Sequence, residues 1–195
     1  MIYFAKAVSI IFHPAILILL LPFLVVYRQT ENSLYALKWQ MFSALFVFLA
    51  GLLVFLGEQL GVFSDSDLIK RSERTKFYTM VIILLVLYIV AVVFFKGIFS
   101  PLVIISFGTL FGVVLFTIVN HLFKISIHSG TVCAFVISLG ILYGINIFFA
   151  VVWIAPLMIW ARIMLKKHTI YEAISGGTLG GIITIVTYLI GKNFL

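Results

Sequence analysis

Charge is what this chain has least of. Of its 195 residues 10% are charged, and Asp and Glu together number 6. A soluble domain carries about 25% charged residues, so a water-exposed surface over the whole body is excluded. The one cysteine, Cys133, lies in an apolar run. That rules out an intrachain disulfide and the paired thiolates of a zinc site. Carboxylates do not cluster as magnesium ligands would, so no metal or other cofactor is expected. Low-complexity segments and soluble-type repeats are absent. No long polar segment interleaves basic and aromatic residues, so nucleic acid is set aside as a partner despite a net charge of +7 and a pI near 9.6.

What the chain does have is apolar length. It is 64% hydrophobic with mean hydropathy +1.30, the composition of an integral membrane protein whose constant partner is the lipid bilayer. Basic residues then flank membrane helices and meet anionic headgroups. The length suits one domain over residues 1–195, an all-α polytopic membrane helical bundle of about six to seven transmembrane helices. Runs of about 20 apolar residues, enough to cross a bilayer, fall at roughly 8–27, 39–62, 77–95, 99–122, 128–144, 147–164 and 171–190. His13-Pro14 and Pro22 interrupt the first, which also lacks the cleavage site of a signal peptide. Gly176 and Gly180, Gly177 and Gly181, and Gly108 and Gly112 have the small-xxx-small spacing of close helix contacts. Packing within the chain is the expected use, and a homo-oligomer face the alternative.

The scarce charge gathers in three polar breaks, Ser64 to Lys76, Lys124 to Ser126 and Lys166 to His168. Two spans separate each break from the next. All three therefore lie on one side of the membrane, where a bundle can bring them together. On that side stand Lys70, Arg71, Arg74, Lys76, Lys124, Arg162, Lys166 and Lys167, against Arg28, Lys38, Lys96 and Lys192 on the other. The positive-inside rule leans to a cytoplasmic site in a prokaryotic cell membrane. The lean vanishes if Lys70, Arg71, Arg74 and Arg162 are reserved for a ligand.

The residue types in these breaks suit phosphate chemistry. His168 and Glu172 are i,i+4, one turn apart on a helix face. A carboxylate there fixes the imidazole tautomer and leaves the other nitrogen as a nucleophile. Arg162 offers a planar fork that holds two phosphate oxygens. His128 opens a helix on the same side and suits a general acid, and Ser126 can donate to a phosphate oxygen. Lys70, Arg71 and Arg74 can neutralise a phosphate dianion. Bland readings stand beside these: Glu172 pairing with Lys166, Lys167 or Arg162, the Lys70–Lys76 run as a solvated loop, and His13 and His121 as interfacial anchors.

In this order the three stretches resemble the type 2 phosphatidic acid phosphatase superfamily, whose members read Lys-(six)-Arg-Pro, Pro-Ser-Gly-His and Ser-Arg-(five)-His-(three)-Asp. The last element is Ala161-Arg162, five residues, His168, three residues and Glu172, followed by Ser175-Gly176-Gly177-Thr178-Leu179-Gly180. The middle element is Ile125-Ser126-Ile127-His128. In the first, Arg74 stands for the family arginine with Thr75 in place of proline, and Lys70 or Arg71 fills the lysine's role. The resemblance covers roughly residues 67–181, a phosphatase-like core, and leaves the first two spans unexplained. It implies that His168 attacks phosphorus to form a phosphohistidine and Glu172 orients it. His128 protonates the departing lipid oxygen and then activates water. Arg162, Ser126, Arg74 and Lys70 or Arg71 hold the phosphate oxygens, without a metal. The implied substrate is a membrane lipid phosphate, such as phosphatidic acid, phosphatidylglycerol phosphate or a polyprenyl phosphate. The alternatives are a non-catalytic lipid-binding or transport protein on the same fold, and a lipid phosphotransferase.

Overall fold

The computed structural model describes residues 1–64, 71–97 and 100–192, with the side chains of Arg71 and Ser72 excepted. The described residues form helices and no strand: α1 (Ile2–Ile11), α2 (Pro14–Thr30), α3 (Ser33–Gln59), α4 (Arg71–Lys96), α5 (Pro101–Leu122), α6 (Ile127–Tyr143), α7 (Ile145–Val151), α8 (Ile154–Met164) and α9 (Ile170–Gly191). Among the described residues six helical stretches are long and apolar enough to cross a membrane: Ile2–Thr30, Ser33–Gln59, Glu73–Lys96, Pro101–Leu122, Ile145–Met164 and Ile170–Gly191. α6 is a shorter apolar helix of 17 residues. The chain is a multi-pass integral membrane protein with an all-α bundle.

Local chemistry sets the helix starts. Pro14 at the first helical position is preorganised for α2, and His13 caps it by accepting from the Ala15 N–H at 3.2 Å. Pro22 lies inside α2 without ending it, as a membrane helix tolerates when its neighbours cover the freed carbonyl. Asn32 caps α3, Ser100 with Pro101 opens α5, and Ser126 caps α6. α6 ends at Gly144, whose φ of 95° lies where a side chain is strained. The sixth run of the sequence resolves into two helices, α7 and α8, with a turn at Val152-Trp153.

The helices pack around several small cores. Leu17 of α2 meets Val132 and Val136 of α6 and Met158 of α8. At the end opposite the polar breaks, Val25, Ala36, Trp39, Tyr88, Val92 and Val103 join α2, α3, α4 and α5. α2 and α6 run parallel over their whole length. His13 lies against His128 at one end. At the other, the Leu24 carbonyl accepts from Tyr143 Oη at 2.8 Å, and the Leu142 carbonyl from Arg28 Nε at 2.9 Å. The short α6 therefore extends along α2 from one end to the other. The outward faces keep Phe48, Val90, Phe94 and Ile190 exposed, which fits contact with lipid.

The glycines are used within the chain. A Cβ on Gly176 would overlap the Ser126 backbone, and one on Gly180 the Gly130 backbone, so α9 and α6 touch main chain to main chain. Gly177 and Gly181 face Cys133 and Ile137 of α6, and Gly108 and Gly112 face Thr187 and Ile183 of α9. These spacings serve packing within the chain. Gly180→Leu should destabilise the fold by about 1–3 kcal/mol, while Gly51→Ala, with nothing within 4 Å of its Cβ position, should leave it unchanged or slightly firmer. Thermal unfolding in detergent reads both, and equal shifts would contradict the close α6–α9 contact.

Candidate functional site

The start of α9 organises the polar end of the bundle. Thr169 Oγ1 accepts from the Glu172 N–H at 3.3 Å, and Glu172 Oε2 accepts from the Thr169 N–H at 3.2 Å, a reciprocal capping box. The same Oε2 lies 2.9 Å from His168 Nδ1 and 3.7 Å from Lys124 Nζ. A single carboxylate oxygen thus ties together a helix start, an imidazole and an ammonium. Its acceptor character puts the ring proton on Nδ1 and the lone pair on Nε2. The i,i+4 spacing predicts a pair along a helix face, and the structure corrects this: His168 precedes the helix. The extended backbone at Thr169, φ −74° and ψ 166°, lets His168 meet Glu172 across the helix start.

The turn from α8 is tight. Lys166 takes a left-handed φ of 54°, and the Lys167 and His168 N–H groups donate to the Arg162 carbonyl at 3.1 and 3.4 Å. Lys124 Nζ donates to the Lys167 carbonyl at 2.8 Å. Burial pushes the His168 pKa from 6.5 down to about 4; the Glu172 hydrogen bond works against that shift, and the positive charges of Lys124, Arg162 and Arg74 add to it. Three cations from α4, the α5–α6 break and α8 therefore act on one imidazole, which is neutral at physiological pH. The three polar breaks converge as the parity of the spans predicts.

His128 is the second residue of α6, half-buried, and lies in the fields of Arg162, His13 and His168. Its ring centroid is 5.1 Å from that of His13, with the planes 84° apart. Arg162 is 5% exposed, and its Nη1 donates to Ser9 Oγ at 3.0 Å. Arg74, also 5% exposed, donates from Nη1 to Asn120 Oδ1 at 3.1 Å. Its neighbour Glu73 accepts from the Ser64 backbone and hydroxyl, both at 2.9 Å.

One expectation changes. Ser126 is fully buried, and its Oγ accepts from the Ser129 N–H at 3.3 Å and the Ser129 hydroxyl at 3.1 Å. It is the cap of α6, spent on helix geometry, and has no surface to offer a phosphate. For His13, expected as an interfacial anchor, a contact is added: it is exposed at that end, and the Pro14 break sets its ring against His128. Lys70 lies outside the described residues, as does the side chain of Arg71. Ser9, His13 and Asn120 join the site without a sequence signal beyond the His13-Pro14 break. Among the described residues no three His, Cys, Asp or Glu side chains gather as metal ligands would. No family model, curated protein or solved structure matches the chain.

A direct reading of the charge balance is the titration of His168 by NMR of ring-labelled protein in micelles. The midpoint should fall near 4, with the ring charged below it and neutral above. Lys124→Met removes a cation that disfavours the imidazolium and releases the carboxylate to it, so the midpoint should move up. A midpoint at the ordinary histidine value in the parent protein, or no movement in the variant, would contradict this electrostatic account.

Proposed function

We propose that the chain is a metal-independent lipid phosphate phosphatase acting through a phosphohistidine. The observation that carries the reading is the 2.9 Å contact of His168 Nδ1 with Glu172 Oε2, made amid the positive charges of Lys124, Arg162 and Arg74. A neutral imidazole with its proton held by a carboxylate presents Nε2 as a nucleophile, and the cations around it would draw in an anionic phosphoryl group.

The steps balance with the residues at hand. Nε2 of His168 bonds to phosphorus as the ester P–O bond breaks, and His128, protonated once the bound phosphate dianion offsets the cations around it, gives that proton to the departing alkoxide. The phosphorylated imidazole is cationic with Nδ1–H still facing Glu172, which offsets the charge. His128, now neutral, takes a proton from water as that water attacks phosphorus. The N–P bond breaks, inorganic phosphate leaves, and both histidines return to their starting states. Arg162 and Arg74 hold the equatorial oxygens, and their charge stabilises what develops in the transition state.

A site at one end of a membrane bundle suits a substrate whose tail remains among lipid chains, such as phosphatidic acid, phosphatidylglycerol phosphate or a polyprenyl phosphate. In the proposed orientation the site faces the cytoplasm of the cell membrane. Lys6 supports it, because α1 packs on α8 through Ala5, Val8 and Ala161 and so brings a further cation to the site side.

Phosphate release from a panel of these lipids in detergent with EDTA tests the reading. Release should persist without divalent metal and be inhibited by orthovanadate. His168→Ala and His128→Ala should each lower kcat by at least about 100-fold, as loss of a nucleophile or general acid does. Full activity in both variants, or a strict magnesium requirement, would reject the mechanism.

A further inference from the structure

The corner between α1 and α2 reaches the site twice, with two different kinds of contact. Ser9, in the last turn of α1 and 7% exposed, holds Arg162 Nη1 through its Oγ at 3.0 Å. Four residues on, His13 sets its ring edge-to-face against His128. His13 is fixed from behind, since its Nδ1 accepts from the Ala15 N–H. α1 itself is seated by Ala5 and Val8 against Ala161, next to Arg162 in the chain. Packing on α8 thus delivers Ser9 to a guanidinium whose field reaches both His128 and His168.

We propose that this corner is a positioning element of the candidate site, with Ser9 setting the Arg162 guanidinium for a phosphate and His13 setting the His128 imidazole for proton transfer. The inference rests on the phosphatase reading and adds residues well outside the stretches that carry the phosphatase resemblance. A hydroxyl fixes the direction of a guanidinium and adds no charge of its own. A ring packed edge-on limits the rotation of its neighbour, which matters for a general acid that must point a proton at the leaving oxygen. The groups acting on His128 are then His13 from the corner, Arg162 from α8 and His168 before α9.

The two roles separate by leaving group. An alkyl phosphate needs its departing oxygen protonated, whereas a p-nitrophenyl phosphate does not. His13→Asn keeps a side-chain cap for α2 and removes the ring. It should lower kcat/KM, which reports the phosphoryl-transfer step alone, roughly tenfold for a dialkylglycerol phosphate and leave that for p-nitrophenyl phosphate within about twofold. Ser9→Ala should instead raise KM for both substrates and weaken orthovanadate binding, read as ligand-induced thermal stabilisation, roughly tenfold, with Ser9→Thr restoring both. Equal losses on the two substrates in His13→Asn, or no loss, would overturn the role of His13. Unchanged vanadate affinity in Ser9→Ala would overturn that of Ser9. A parent protein that hydrolyses neither substrate and binds no vanadate would remove the phosphatase reading beneath both.

Discussion

Main-chain contact between α6 and α9 is the constraint on which the polar end of this bundle depends. Gly176 and Gly180 bring the α9 backbone against Ser126 and Gly130, and the Ser126 N–H donates to the Glu172 carbonyl at 3.0 Å. Each glycine costs a helix interior about 1 kcal/mol relative to alanine. The return is a fixed distance between two helix starts, one carrying His128 and the other preceded by His168. A bundle held at ordinary side-chain separation would leave that relation to rotamers. Here the backbone sets it, and the Thr169–Glu172 capping box then fixes the carboxylate that holds His168.

Electrostatics follows from that geometry. Taking cations out of water costs several kcal/mol each unless they are well satisfied. Arg74 is held by Asn120 and Arg162 by Ser9, both through neutral oxygens. Glu172 spends its Oε2 on Thr169, His168 and Lys124 together, and Glu73 turns to Ser64. Three cations thus bear on one neutral imidazole, a charge arrangement that the proposed phosphate ligand would complement.

The spans were largely legible in the sequence because a bilayer imposes length and apolarity on each helix separately, and both can be counted along a chain. The same counting put the three polar breaks on one side. The pairing of His168 with Glu172 was legible as a spacing, but its geometry was not. Thr169 looks like any polar residue until it caps a helix, and the cap moves His168 off the helix face. Ser126 misled for a related reason. A serine before a histidine suits a phosphate ligand and an N-cap equally, and only burial and the contacts of Ser129 decide between them. Asn120 and Ser9 lie 46 and 153 residues from the arginines they hold, and no periodicity reports such a pair.

His13-Pro14 shows how a helix-length problem becomes a piece of the site. Residues Ile2–Thr30 form one apolar stretch of 29 residues, about 43 Å if straight, against a hydrocarbon core of about 30 Å. A straight helix would push its first turns beyond the bilayer with Ile2, Phe4 and Ile10 in water. Proline has no N–H to donate into the preceding turn and favours a helix start, so the chain breaks there. α2 by itself is about 25 Å long, and the residues before it pack onto α8 as α1. Once α1 lies on Ala161, Ser9 must approach Arg162, and the residue at the break must face the start of α6, where His128 stands. The excess length of the first span thus supplies two contacts to the polar end, Ser9 with Arg162 and His13 with His128.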